Sequence, residues 1–273
     1  MANADKKQIL LTNDDGIDSP GLWAAAEALS ELGYVWVAAP RDQASGTGRS
    51  SPVTSDGRIT TKSLVVHGQE WTIFSVGGTP AQVVDHCVLE ILPRRPDLIV
   101  SGINYGLNMG TSIGISGTLG AAMEGASWGV PALAASLELE DPSMVYSHSE
   151  EIDFSVAAIF VARFARMLLD KRMPADVDVL NLNVPYDAVP ETGWRVTRIS
   201  RHRGYETIVE RKGALHEEAR IGGDPIPVTR EDVEPDSDIS TVIFDRMVSV
   251  TPMSLDSTSR VGFSDLEQLL RRD

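Results

Sequence analysis

The stretch Gln8-Ile9-Leu10-Leu11-Thr12-Asn13-Asp14-Asp15-Gly16, taken with Ser19-Pro20 and Tyr34-Val35-Trp36-Val37-Ala38-Ala39, decides the fold class. Residues 8 to 12 form a short apolar run stopped by a polar turn, which predicts a buried strand. Ser19 stands where an N-cap belongs and Pro20 fits the first helical position. Leu22, Ala25, Ala26, Leu29 and Leu32 then recur at helical spacing as far as Gly33. The second apolar run, 34 to 39, reads as another strand. A β-α-β unit of this kind takes a right-handed crossover and parallel strands, so the expected class is α/β, doubly wound around a mostly parallel sheet.

The alternation continues outward. A polar loop, 41 to 52, leads to β-prone stretches around Ile59 and from Trp71 to Val76, expected as an antiparallel excursion. Pro80 to Leu92 suits a helix, Leu98 to Ser101 a third buried strand, Thr118 to Trp128 a helix and Val130 to Ala135 a fourth strand. Ile152, Val156, Ile159, Phe160, Phe164 and Met167 line one helical face, and Val177 to Val184 supplies a further strand. The expected division is a compact core over 1–197, an extended arm or hairpin over 198–230, and a segment over 231–273 packing back on the core or on a partner. Arg198, Arg201, Arg203, Arg211, Lys212 and Arg220 make the arm basic inside an acidic chain. Glu231, Asp232, Glu234, Asp236 and Asp238 read as a solvated loop in which Asp238 caps a short helix, and Ser264 to Leu270 reads as a terminal helix.

The composition excludes several classes. With 273 residues, 42% of them hydrophobic and 23% charged, the chain is long enough for a sizeable core. A formal charge of −15 disfavours long nucleic acid and anionic membranes. A small phosphorylated ligand stays compatible, because a metal ion or helix N-terminus acts locally. Cys87 is the single cysteine, so neither an internal disulfide nor a thiolate-rich metal site can form, and a reducing, cytoplasmic setting is expected. The N-terminal residues lack the apolar core of a signal peptide, and the apolar helical stretch 157–169 is interrupted by Arg163 and Arg166, so no membrane span is expected.

Three loops following predicted strands carry the candidate chemistry: Asn13-Asp14-Asp15-Gly16, the loop bearing Ser45, and Gly102-Ile103-Asn104-Tyr105-Gly106-Leu107-Asn108. In an open α/β sheet such loops converge on one crevice. Adjacent carboxylates there repel each other and lose hydration, a cost that a divalent cation offsets. The same pair also suits an Asx turn that merely ends a strand. Ser45 and Asn104 add neutral oxygens, completing an all-oxygen donor set of the kind that holds Mg²⁺, Mn²⁺ or Ca²⁺. The five histidines, His67, His86, His148, His202 and His216, show no ligand spacing and read as surface or packing residues. Ser116-Gly117-Thr118 directly precedes the small-residue helix and offers hydroxyls, free N–H groups and a positive dipole end to an anion. Neither a P-loop nor a G-x-G-x-x-G fingerprint is present. A glycine-rich loop that only permits tight helix packing remains the plainer alternative.

With these loops assembled, the sequence closely resembles the SurE (survival protein E) family of metal-dependent 5'-nucleotidases. The matching stretches are Leu11 to Ile17, Ala39-Pro40 with Ser45-Gly46-Thr47-Gly48, Gly77 to Ala81, Ser101 to Gly110, Ser116 to Gly125, and Val248-Ser249-Val250-Thr251-Pro252. The resemblance implies a Rossmann-like core and one divalent cation held by Asp14, Asp15, Ser45 and Asn104; apart from the resemblance, Asp14 and Asp15 are also the candidates for a general base. It implies phosphate contacts from Asn108, Ser116, Gly117 and Thr118. It further implies hydrolysis of nucleoside 5'-monophosphates, with 3'-nucleotides and short polyphosphate as further substrates, by a homodimer or homotetramer that exchanges C-terminal arms. Three positions depart from the family pattern: Asp42 lies one place beyond the residue after Pro40, Gln82 follows Ala81, and Ile115 precedes Ser116. Two competing readings are an aspartyl-phosphate phosphatase, whose D-x-D spacing is missing here, and a nucleotide sensor that binds without hydrolysis.

Overall fold

The computed structural model describes residues 6–66, 69–141, 144, 149 and 151–271, so His67 and His148 lie outside the described residues. In chain order the elements begin β1 (Gln8–Thr12), α1 (Pro20–Ser30), β2 (Tyr34–Pro40), β3 (Ile59–Val66), β4 (Gln69–Val76), α2 (Pro80–His86) and β5 (Leu98–Tyr105). They continue with α3 (Gly117–Ser127), β6 (Ala132–Leu137), α4 (Ser155–Asp170), β7 (Val179–Val184), β8 (Trp194–Val196), β9 (Tyr205–Arg211), β10 (Ala219–Pro225), β11 (Val248–Met253) and α5 (Phe263–Leu270).

Nine strands form one sheet in the order β3-β4-β2-β1-β5-β6-β7-β11-β8. The run from β4 to β7 is parallel throughout. The antiparallel pairings are β3 with β4 and β11 with β7. This is the expected doubly wound α/β architecture. From β1 the chain moves outward to β2 on one side, and later returns to β5 on the other. The order therefore reverses between β1 and β5, where crevices form in such sheets.

The two faces of the sheet are covered by different helices. Helices α1 and α4 pack on each other and on one face, burying Leu22, Leu29, Phe160, Val161 and Phe164 against Ile9, Leu11 and Val37. Helices α2 and α3 cover the other face with Val83, Val84, Leu119 and Ala122 against Leu10, Ile99 and Ala132. A strand buried on both faces needs an unbroken apolar run, which is why 8–12 and 98–100 read as continuous rather than alternating.

The structure departs from the sequence-based expectation in four places. Ser19 occupies the N-cap of α1, but its side chain makes no capping hydrogen bond. The helix expected over Pro80 to Leu92 ends at His86, and a widened turn over Cys87–Ile91 follows, closed by the Leu92 N–H on the Cys87 carbonyl at 2.9 Å. β5 runs on to Tyr105, with a register shift against β6 between Ser101 and Asn104, so Asn104 belongs to a strand end rather than to a free loop. Asp238 is not on a solvated loop. It is fully buried and accepts the N–H groups of Gly110 (3.0 Å), Ser200 (2.9 Å) and Ile239 (2.8 Å). Three otherwise orphaned backbone donors account for a carboxylate at that depth.

β11 reaches the sheet from far along the chain and inserts between β7 and β8. β9 and β10 form a separate antiparallel hairpin with Val209, Leu215 and Ile221 exposed. Helix α5 forms at the expected place and buries none of its residues. No described helix is long and apolar enough to cross a membrane.

Candidate active site at the strand switch point

The turn after β1 is closed by Asn13, whose Nδ2 donates to the Gly16 carbonyl (3.0 Å) and whose Oδ1 accepts the Gly16 N–H (3.1 Å). The Asx role therefore falls to Asn13 and leaves both following carboxylates for other work. Asp14 and Asp15 are buried, 4% and 1% exposed, beside the point where the strand order reverses.

Asp14 faces the start of α3. The Thr118 hydroxyl donates to its Oδ1 at 2.6 Å. A Cβ on Gly117 would lie 2.8 Å from Asp14 Oδ2, so only glycine lets the helix approach this closely. Burial raises the Asp14 pKa from its ordinary value, opposed by the Thr118 hydroxyl and by the N–H groups of Thr118 and Gly117. The positive end of the helix thus acts first on the protein's own carboxylate. Ser116 caps α3, its Oγ accepting the Leu119 N–H at 3.1 Å, which leaves its hydroxyl proton to donate elsewhere.

Asp15 faces the other two loops. Its Oδ1 accepts the Gln43 Nε2 at 3.3 Å, and its Oδ2 accepts the Tyr105 N–H at 3.4 Å. The same Gln43 amide donates to the Ser45 Oγ at 3.2 Å, which brings Ser45 beside Asp15. Asn104 donates through Nδ2 to the carbonyls of Tyr105 (3.2 Å) and Gly106 (2.7 Å), leaving its side-chain oxygen free of hydrogen bonds among the described residues. Burial and the neighbouring Asp14 charge push the Asp15 pKa well above its ordinary value. The loop bearing Ser45 is docked by the Gly48 N–H on the Ile115 carbonyl at 3.0 Å.

The structure thus brings Asp14, Gly117, Thr118 and, through Thr118, Asn108 into one group. Asp15, Ser45 and the Asn104–Tyr105 strand end form a second group directly beside it. What holds the two carboxylates is a set of hydroxyl, amide and backbone N–H donors with no cationic side chain. Among the described residues no group of three or more His, Cys, Asp or Glu side chains could hold a metal ion, so a site here has to combine the aspartates with neutral oxygens.

Sequence reasoning overlooked Gln43, which bridges two loops, and the pair Asn181 and Asn183, which are fully buried on β7. The signal for the pair was available: two asparagines at i and i+2 inside a buried apolar strand point to one face and need partners there. The departures from the family pattern lie to the side of the carboxylates. Gln82 completes a capping box with Thr79 and accepts the Ser55 hydroxyl, Asp42 pairs with Arg41 at the surface, and Ile115 is exposed.

The sequence profile of the family described as Survival protein SurE matches residues 9–206. The chain is 41% identical over 269 residues to the 5'-nucleotidase SurE of Thermococcus gammatolerans, covering 96% of each chain. It is 39% identical over 270 residues to the 5'-nucleotidase SurE of Methanosarcina barkeri, covering 96% of this chain and 97% of the relative. Its fold superposes on the crystal structure of the SurE protein from Aquifex aeolicus with a TM-score of 0.71 and 32% identity, covering 96% of this chain and 99% of the other. With a family match over most of its length and relatives of this similarity end to end, the chain belongs to the SurE family.

Proposed function

We propose that this chain is a phosphomonoesterase that hydrolyses nucleoside 5'-monophosphates, with 3'-nucleotides and short polyphosphate as further substrates, at a divalent cation held by Asp14, Asp15, Ser45 and Asn104. The observation that carries this is the buried pair of carboxylates, both with raised pKa and neither facing a positive side chain. The donor chemistry fits such an ion: two carboxylates, a hydroxyl and an amide oxygen are hard donors. The Gln43 amide, bridging Asp15 and Ser45, marks a place where positive character is already favoured. A bound Mg²⁺ or Mn²⁺ supplies charge neutralisation and Lewis-acid polarisation of a phosphoryl oxygen.

The chain's own residues do the rest. The Ser116 hydroxyl, whose proton is uncommitted, donates to the phosphoryl oxygens, where charge develops as the ester bond breaks. The Gly117 and Thr118 N–H groups and the Thr118 hydroxyl, which face Asp14 in this structure, reach those oxygens by turning from Asp14 as substrate binds. The Asn108 amide adds a donor by exchanging its long 3.4 Å contact with Thr118 for a phosphoryl oxygen. One of the two aspartates takes the proton of the attacking water, and burial keeps competing water away. The exposed apolar residues of the β9–β10 hairpin fit an arm that is covered by a second copy in a homodimer or homotetramer. The test is phosphate release from nucleoside 5'- and 3'-monophosphates with Mg²⁺, Mn²⁺ or chelator. Cation-dependent release from 5'-monophosphates is expected. Binding of AMP with no phosphate released over hours in Mn²⁺ overturns the reading in favour of a sensor.

A further inference from the structure

Asn181 and Asn183 are both completely buried, on alternate positions of β7 and therefore on one face of the sheet. Burying a carboxamide is costly unless it is hydrogen-bonded, and apolar side chains would serve a strand core better. Both amides converge on one residue. Asn183 accepts the Asn108 N–H at 2.9 Å and donates to the Asn108 carbonyl at 3.0 Å. Asn181 donates to the same carbonyl at 2.9 Å. The backbone polar groups of Asn108 are thus held from one side, and its orientation on the loop is fixed.

The Asn108 side chain reaches along the same face of the sheet, to Ser136, the register partner of Asn183. Its Nδ2 donates to Ser136 Oγ on β6 at 2.9 Å and to Thr118 Oγ1 at 3.4 Å. Thr118 in turn donates to Asp14 at 2.6 Å. A chain of side chains therefore runs from β7 through Asn108 and Thr118 to Asp14.

We propose that Asn181 and Asn183 form a clasp whose task is to set the Asn108 amide against the phosphoryl group, one Nδ2 proton staying on Ser136 and the other exchanging its long 3.4 Å contact with Thr118 for a phosphoryl oxygen, which makes the two asparagines positioning residues for the reaction. This rests on the reading of Asn108 as a phosphate contact. A loop donor that swings by an ångström loses most of its effect on a transition state, whereas one pinned on both sides of its peptide is preorganised.

The test is a double-mutant cycle on the full chain with Asn183→Leu, Asn108→Ala and both together. The readouts are kcat, KM and the inhibition constant of inorganic phosphate. Asn108→Ala is expected to lower kcat/KM by about 10²-fold. Asn183→Leu is expected to lower it by about 10-fold or more and to weaken inhibition by inorganic phosphate in the same proportion. If Asn183 acts through Asn108, the double variant is no worse than Asn108→Ala alone, within about 3-fold. Losses that multiply overturn the clasp and leave the phosphate contact standing, as does an Asn183→Leu variant with unchanged kinetics. An Asn108→Ala variant with unchanged kinetics removes the phosphate contact, and the clasp with it. The neutral Asn183→Ser and Asn181→Ser variants run the same cycle with a hydroxyl in place of the amide, which keeps a donor for the Asn108 carbonyl and adds no charge to the core. They are expected to show smaller losses than leucine, with the same lack of further effect once Asn108 is alanine.

Discussion

Two acid pairs sit on the same edge of the sheet and have opposite surroundings. Asp14 and Asp15 follow β1, while Glu138 and Asp187 follow β6 and β7. Arg246 joins the second pair, donating to Glu138 at 2.8 Å and to Asp187 at 2.5 Å while its guanidinium lies 4.8 Å from the Tyr186 ring centre. The hydrogen bond from Arg246 holds the Asp187 carboxyl below its ordinary value. Burial pushes both members of the first pair the other way. An acid pair with an arginine between its members has its countercharge built into the chain, and here it ties the β6 and β7 ends to the turn before β11. A buried pair without a cation is incomplete, and that incompleteness is the chemical signature of the site.

The largest effect that would sharpen the contrast is on turnover. Asp15→Asn removes a charged ligand of the proposed cation, and phosphate release is expected to fall by about 10³-fold or more. The cation-free variant should nonetheless melt at a higher temperature than the cation-free parent, because a buried like charge is gone. Gly117→Ala comes next. Its Cβ would stand 2.7 Å from the Asp14 Cβ, so helix and carboxylate have to part, and a loss of about 10- to 100-fold in kcat/KM is expected. Arg246→Met should reverse the pattern. Urea unfolding is expected to show about 1–2 kcal/mol of lost stability, limited by the partial exposure of this ion pair, with kcat within about 2-fold of the parent.

The smallest effect is in the pH dependence of stability. The folded pKa values of Asp14 and Asp15 are raised, so in cation-free protein the stability they contribute is fully present below about 3.8 and is lost as pH rises through the folded values. For Asp187 the folded value is lowered. Its contribution is present above about 3.8 and is lost as pH falls through the folded value. Melting temperatures against pH should therefore show Asp15→Asn flattening the decline on the alkaline side and Asp187→Asn flattening it on the acid side. Two parallel curves would erase the distinction between the pairs.

Much of the sheet was legible because each buried parallel strand leaves an unbroken apolar run bounded by turn residues. The run 8–12, the helix opened by Ser19-Pro20 and the run 34–39 needed no tertiary information. The insertion of β11 between β7 and β8 did, since nothing local in 248–253 encodes which strands it meets. The widened turn at Cys87–Ile91 was likewise hidden, because apolar spacing cannot tell an i+4 from an i+5 closure at a helix end. In the site, the carboxylate pair was legible as charge at a strand end. Which partner each carboxylate has was not: that Asp14 meets α3 and Asp15 meets Gln43 depends on how three distant loops approach. Asp238 was misread for the same reason, its three backbone partners coming from segments 38 and 128 residues away as well as from its neighbour.

The most direct test of the claim that Asp14 and Asp15 form a cation site is calorimetric titration of Mn²⁺ into chelator-treated protein, with phosphate release from AMP followed on the same samples. The account predicts one ion bound per chain and cation-dependent release for the parent, and neither for Asp14→Asn or Asp15→Asn. Full binding and undiminished turnover in both variants would contradict it.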